Sequence, residues 1–273
     1  MFGTVGPGAA PGVVPVSVPI PVVVIGAAGR IGSFACEQIE ASEGFSLAGG
    51  IEIGEDLAPA LATFGPDGER EAKVALEVTA AGLGLAHGLA ILAAGLRPVI
   101  GTSGMDAAAV ESLDRRALEL GLGGIVVPNF CLGAWLLERL AVSAVAHFPA
   151  VEIIEEHHPD KLDAPSGTAA QLARLLTAAG AQGGRLDAEP GVEAEAGVEG
   201  EGEGGAKGRV PIHSLRLPGL HSNHTLRFGG AGETLTLRHE THDLAAFIPG
   251  LLASLGYAAG AEGVALGLGA AFI

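Results

Sequence analysis

Aromatic residues make up only 4% of the 273-residue chain, with a single Trp and a single Tyr, so a core of stacked aromatic layers is not what this sequence builds. Cysteine is almost absent. Cys36 and Cys131 are too few for a disulfide framework and lack the spacing of a zinc site, which fits a reducing cytoplasm. Basic residues are scarce, with Lys+Arg 15 against Asp+Glu 31 and a formal net charge of -16, and this removes any general attraction to nucleic acid or to an anionic membrane. The N-terminal residues 1–21 hold Pro7, Pro11, Pro15, Pro19 and Pro21 but no Lys or Arg; without the basic region of a signal peptide they read as a flexible extension. Uninterrupted apolar runs long enough for a membrane, about 20 residues, are missing too. The best candidate, 245–273, has Glu262 as its only charge but is broken by Pro249, Gly250, Gly256 and Gly260, so it reads as a packed helix followed by a strand.

What the chain does have is glycine, 44 residues of it, and 48% hydrophobic residues, enough for one large core or two modest ones. Residues 22–129 alternate short apolar runs (Val22-Val23-Val24-Ile25, Val74-Ala75-Leu76-Glu77-Val78, Pro98-Val99-Ile100) with Ala/Leu-rich helical stretches. That rhythm predicts an α/β domain with a doubly wound parallel sheet, and the segment 241–273 is expected to complete it. From residue 130 the texture changes. A strand at 151–154, a polar loop, an amphipathic helix at 169–179 and a period-two run at 235–239 predict a second, α+β domain over 130–240. Inside it, 180–208 carries Asp187 and six glutamates against Arg185 and Lys207 with almost no large apolar residue, the composition of a mobile acidic loop.

Two motifs carry chemistry. Gly26-Ala27-Ala28-Gly29-Arg30-Ile31-Gly32 follows the first apolar run and opens a helix expected over 33–41. Gly26 suits a tight turn, Gly29 lets backbone approach a pyrophosphate, and Gly32 lets the helix pack closely while its N–H groups face the phosphates. Any Gly-rich strand-to-helix turn can carry this pattern; Glu52, placed to hold ribose hydroxyls at the end of the next apolar patch, favours a dinucleotide. The second motif, Glu155-Glu156-His157-His158-Pro159-Asp160-Lys161-Leu162-Asp163-Ala164-Pro165-Ser166-Gly167-Thr168-Ala169, sets two histidines and a lysine between a strand and a helix. Lys161 and the helix N-terminus at Ser166, Gly167 and Thr168 make a carboxylate pocket in an otherwise acidic protein, with His157 and His158 as proton donors or further carboxylate contacts. Helix capping is the plain alternative. Metal ligation is disfavoured, because adjacent histidines at a strand end point apart and no cysteine is near, so no metal is expected.

The run 156–169 resembles the signature of the 4-hydroxy-tetrahydrodipicolinate reductases, also called dihydrodipicolinate reductases. The glycine motif, Gly101-Thr102-Ser103-Gly104, Pro128-Asn129-Phe130, Ile212-His213-Ser214-Leu215-Arg216-Leu217-Pro218-Gly219, the run 233–239 and Phe247-Ile248-Pro249-Gly250 support it in order along the chain. The resemblance implies a Rossmann-like first domain and NADH or NADPH as cofactor. It implies reduction of a small dicarboxylate, 4-hydroxy-tetrahydrodipicolinate, with loss of water, in the diaminopimelate route to lysine. His157 and Lys161 would be catalytic, and His158, Ser166, Gly167 and Thr168 would bind substrate. Gly26, Ala27, Ala28, Gly29, Arg30, Ile31, Glu52, Thr79, Gly101, Thr102, Ser103, Pro128, Asn129 and Phe130 would bind the cofactor. A cytoplasmic homotetramer built through the second-domain sheets is implied as well.

Some positions depart from the family pattern. Glu77-Val78-Thr79-Ala80-Ala81 stands where Asp-Phe-Thr-x-Pro is usual, and Ile53 rather than a basic residue follows Glu52, which argues for NADH over NADPH unless Arg30 substitutes. Cys131 and Trp135 read as packing residues. His213, His221, His224, His239, His242 and Glu233 read as structural or interface groups. A non-catalytic or altered-substrate homologue that binds a dinucleotide is the alternative, although such a protein would be expected to lose His157 or Lys161 first.

Overall fold

A computed structural model describes residues 18–52, 54–183 and 210–272. In chain order the first elements are β1 (Ile20–Ile25), α1 (Arg30–Glu40), β2 (Phe45–Ile51), α2 (Leu57–Ala62), β3 (Val74–Glu77), α3 (Gly84–Ala93), β4 (Arg97–Ile100), α4 (Ala107–Glu119) and β5 (Gly123–Val126). They are followed by α5 (Leu132–Val145), β6 (Ala150–His157), α6 (Gly167–Ala178), β7 (Ile212–Arg216), β8 (Ser222–Gly230), β9 (Glu233–Thr241), α7 (Ile248–Gly260) and β10 (Gly263–Leu266). The described residues fall into two compact units, one running up to Phe130 and resuming at Ile248, the other spanning Cys131–Phe247.

The first unit is a six-stranded parallel sheet in the order β10-β5-β4-β3-β1-β2. Val22, Val23, Val24 and Ile25 are all at most 2% exposed, as an unbroken apolar run should be when both faces of a parallel strand are covered. Val23, Ile25, Ile51, Ala75 and Ile100 pack with Leu61 and Phe64 and with Ile91, Leu92, Val110 and Leu113 of α3 and α4. α7 runs along β1, β3, β4 and β5 and touches α1. The order reverses at β1, whose neighbours are β2 and β3, so the chain leaving the end of β1 stands at the topological switch point where doubly wound sheets bind ligands.

The second unit has a four-stranded mixed sheet, β7-β6-β8-β9, in which β6 pairs parallel with β7 and antiparallel with β8. Its core joins Val151, Ile153, Leu226 and Phe228 to Leu137, Ala141 and Val145 of α5 and Leu172 and Leu176 of α6.

Several boundaries differ from those read in the sequence. β1 begins at Ile20, inside the expected extension 1–21, because Ile20 and Pro21 already pair with Phe45 and Ser46; residues 1–17 lie outside the described residues. α1 begins at Arg30, not 33, because Gly29 is the last extended residue (ψ 162) before the helix. β6 does not stop at 154 but continues to His157, held by pairing with β8 along its full length. Of the expected loop 180–208, residues 184–208 lie outside the described residues, whereas Ala181 is buried in the core and Gln182 bridges to Ala150. The chain rejoins the first unit at Ile248 rather than at 241, since β9 runs to Thr241 and a short 3-10 turn follows at Leu244–Phe247. Among the described residues, no helix is long and apolar enough to cross a membrane.

Candidate active site

The glycine motif forms a turn that only small residues fit. Gly26 has φ 85, its N–H donates to the Ile51 carbonyl at 2.8 Å, and Gly29 N–H donates back to the Gly26 carbonyl at 3.0 Å. A Cβ on Gly32 would stand 2.0 Å from the Gly26 carbonyl oxygen, so α1 lies against the turn as no side chain would allow. The first bond of the helix runs from Ser33 N–H to the Gly29 carbonyl at 2.8 Å, and the N–H groups of Arg30, Ile31 and Gly32 have no carbonyl one turn back. Backbone donors at a helix N-terminus, with the glycine cradle beneath them, fit a pyrophosphate. Glu52 accepts from Ala28 N–H at 3.2 Å, which sets its carboxylate on the loop it is expected to serve. Arg30 is exposed at the first turn of α1.

Beside this turn, the ends of β3, β4 and β5 gather the other expected cofactor residues. A Cβ on Gly26 would lie 3.1 Å from Thr79 Cγ2, and one on Gly101 would lie 2.7 Å from the Phe130 ring. Thr102 is buried and Ser103 exposed at the end of β4; Pro128 and Asn129 lead into the buried Phe130. At the centre is Glu77, wholly buried. Its Oε2 accepts from Thr102 Oγ1 at 2.6 Å, and its Oε1 accepts from Thr79 N–H at 3.1 Å and from the Thr79 hydroxyl, with His87 Nδ1 at 3.1 Å. Thr79 Oγ1 also lies 3.4 Å from His87 Nδ1, so one small polar network ties together the ends of β3, α3 and β4.

In the second unit, strand period places the chemistry. Val151, Ile153, Glu155 and His157 alternate onto the buried, helix-covered face of β6. Across the sheet, Glu155 stands opposite Ser214 and His224, and His157 opposite Arg216 and Ser222. Glu155 Oε2 pairs with His157 Nδ1, and Oε1 pairs with Arg216 Nη2 at 2.8 Å. His157 Nε2 faces Ser222 Oγ at 3.1 Å, and the His224 ring meets the His157 ring edge to face at 5.6 Å. Arg216 also donates to the carbonyls of Lys161 (3.2 Å) and Asp163 (2.6 Å), fastening the loop to β7. Ser166 caps α6 by accepting from Ala169 N–H at 3.2 Å, leaving Gly167 exposed and Thr168 half-buried with N–H groups that have no carbonyl one turn back. Lys161 Nζ is held by Asp163 at 2.8 and 2.9 Å, and that bond keeps the Asp163 carboxyl below its ordinary value. His158 is exposed, turned away from His157, with Asp160 at 3.8 Å.

Comparison with known proteins bears on both halves of this arrangement. Residues 20–130 match the family model described as dihydrodipicolinate reductase, N-terminus, and residues 133–268 match its C-terminus counterpart. The chain belongs to the dihydrodipicolinate reductase family. It is 37% identical over 231 residues to the 4-hydroxy-tetrahydrodipicolinate reductase of Legionella pneumophila (strain Lens), covering 85% of this chain and 90% of the relative. The Moorella thermoacetica protein of the same name is 36% identical, with 91% and 96% covered. Among solved structures, dipicolinate-bound dihydrodipicolinate reductase from Paenisporosarcina sp. TG-14 superposes with a TM-score of 0.76 at 29% identity, covering 94% of this chain and all of that one.

The site also holds groups that no local sequence pattern marks. In the sequence nothing local assigns Glu77, Glu155, Arg216 or Ser222 a role, and His224 reads as a structural histidine. Burial pushes the Glu155 carboxyl up, but hydrogen bonds from His157, Arg216 and Ser214 outweigh it and bring it down to about 2. Burial, followed by repulsion from His157, pushes His224 down to about 4. An unfolded histidine takes up a proton near 6.5 while folded His224 does not until about 4. Stability is therefore expected to fall as pH drops through this window, and His224→Asn should flatten the fall in urea midpoints between pH 7 and 4.5. An unchanged slope in the variant would count against His224 as its source. Among the described residues, no group of three or more His, Cys, Asp or Glu is placed to hold a metal ion.

Proposed function

We propose that this chain is a 4-hydroxy-tetrahydrodipicolinate reductase of the diaminopimelate route to lysine, with the site residues named from the sequence. The observation that carries this reading is the cluster at the end of β6, where His157, the Lys161 loop and the N-terminus of α6 are gathered by Glu155 and Arg216. The dicarboxylate bound to the Paenisporosarcina relative supports a substrate of this class.

When bound, the reduced nicotinamide supplies a hydride to an unsaturated ring carbon of the substrate. Gly26 to Ile31 and Glu52 would hold the pyrophosphate and ribose, and Thr79, Gly101, Thr102, Ser103, Pro128, Asn129 and Phe130 the nicotinamide end. His157, as the imidazolium, delivers from Nε2 the proton that quenches the charge developing on the substrate and is left as the neutral ring with its proton on Nδ1, with Lys161 as second donor or clamp. His158, Lys161 and the N–H groups at Ser166, Gly167 and Thr168 orient the substrate carboxylates.

Glu52 favours NADH, since its carboxylate on the loop would repel a 2′-phosphate and Ile53 offers that phosphate no charge. A coupled assay, with aspartate semialdehyde and pyruvate condensed by the preceding enzyme, should show NADH oxidation on adding this protein and a higher kcat/KM for NADH than for NADPH. No oxidation with either cofactor would overturn the activity; a clear NADPH preference would overturn the cofactor assignment alone. The cytoplasm suits a chain whose two cysteines, Cys36 and Cys131, are not joined in a disulfide.

A homotetramer assembled on the open sheet face of the second unit is the expected state. That face carries Arg238, ion-paired with Glu156 at 2.8 Å and donating to Glu240 at 2.6 Å. Sedimentation equilibrium should give four chains per particle, and a monomer would refute it.

A further inference from the structure

We infer that Glu155 is the positioning residue of the reaction, holding the His157 imidazole with its proton on Nδ1 so that Nε2 is the atom that exchanges a proton with the substrate. This rests on the reading of His157 as proton donor. The Glu155 side chain is wholly buried, and each of its oxygens has a separate task. Oε1 accepts from Arg216 Nη2 at 2.8 Å and from Ser166 N–H at 3.4 Å, at the cap of α6, while Oε2 meets His157 Nδ1. An ionised carboxylate has nothing to donate, so the proton in the Oε2 contact belongs to Nδ1. A neutral imidazole carries one N–H, which leaves the lone pair on Nε2, facing Ser222 Oγ at 3.1 Å. The neighbouring Glu156 cannot do this, because strand alternation turns it to the opposite face, where it pairs with Arg238.

A structural ion pair with Arg216 would need only one carboxylate oxygen and would leave the imidazole tautomer free. The two roles separate in Glu155→Gln. Arg216 is a donor only, so it keeps the amide oxygen, and the amide NH2 is forced onto His157 Nδ1. That inverts the hydrogen bond and drives the proton to Nε2.

The test is a long-range 15N–1H correlation spectrum of histidine-labelled protein, in which the His157 signals, among nine histidines, are assigned by their loss in His157→Gln. Neutral His157 is expected as the Nδ1–H tautomer in the wild type and as Nε2–H in Glu155→Gln, whose kcat should fall by about 100-fold while KM for NADH stays within about twofold. A wild-type His157 in the Nε2–H form overturns the inference with no variant needed, and so does a Glu155→Gln enzyme with wild-type kcat. Activity retained in His157→Gln would instead overturn the reading of His157 itself.

Discussion

Replacing His157 by alanine is expected to lower kcat by about 10²–10⁴-fold, the usual contribution of a positioned acid or base, with KM for NADH within about twofold of wild type. The size follows from what the neighbours cannot do. Glu155, held down at about 2, has no proton to give at neutral pH, and His224, pushed down to about 4, carries none in excess. Arg216 does not release its proton. His158 is exposed and turned toward Asp160, which leaves the imidazolium of His157 and Lys161 as the sources gathered at the end of β6. Lys161 is tied to Asp163 at 2.8 Å, so a substrate carboxylate must compete with Asp163 for it. Lys161→Ala is accordingly expected to lower kcat and raise the substrate KM together, whereas His157→Ala should act on kcat. Stopped-flow and steady-state oxidation of NADH separate the two. Near-wild-type rates in both variants would remove these residues from the mechanism.

How far this cluster could be read in the sequence depended on where the information sits. The glycine turn, Glu52 and the run from His157 to Thr168 are local: turn, cap and spacing are written in consecutive residues, and the structure has them as a turn, an acid on that turn and a capped helix. Glu155 is hidden in the sequence because Glu155-Glu156 looks like the start of a polar loop, which ends the expected strand at 154. The alternation of Val151 and Ile153 in fact continues, and it sends two identical side chains to opposite environments, one against His157 and Arg216, the other against Arg238. Extending the period-two pattern by two more residues would have found Glu155. Nothing local marks Arg216, Ser222 or His224. They reach the site through strand register across roughly sixty residues of chain, a property of the folded sheet. In the sequence Glu77 is only a departure from the family pattern, yet in the fold it is wholly buried and bonded to Thr79, Thr102 and His87.

Gly32→Ala is expected to raise the Kd for NADH by at least about tenfold, equivalent to about 1.4 kcal/mol, and to cost about 1–3 kcal/mol of stability. The added methyl would stand 2.0 Å from the Gly26 carbonyl oxygen, 2.7 Å from its carbon and 2.9 Å from Ala27 Cα. All three are backbone atoms, so no rotamer change relieves the clash; either α1 withdraws or the turn opens. Each response moves the N–H groups of Arg30, Ile31 and Gly32 away from the Gly26–Gly29 turn whose donors must converge on the same phosphates. Gly44→Ala is the matched control, because a Cβ there meets nothing within 4 Å, and it should stay within about 0.5 kcal/mol of wild type. Nicotinamide fluorescence titration and urea midpoints measure both quantities. At saturating NADH, Gly32→Ala should recover most of its kcat, because His157 and its partners sit on β6 of the other unit and do not depend on the turn. The two variants should thus fail in opposite ways, one in KM for the cofactor and one in kcat. An alanine at 32 that binds NADH as tightly as wild type would mean that the turn does not hold the dinucleotide.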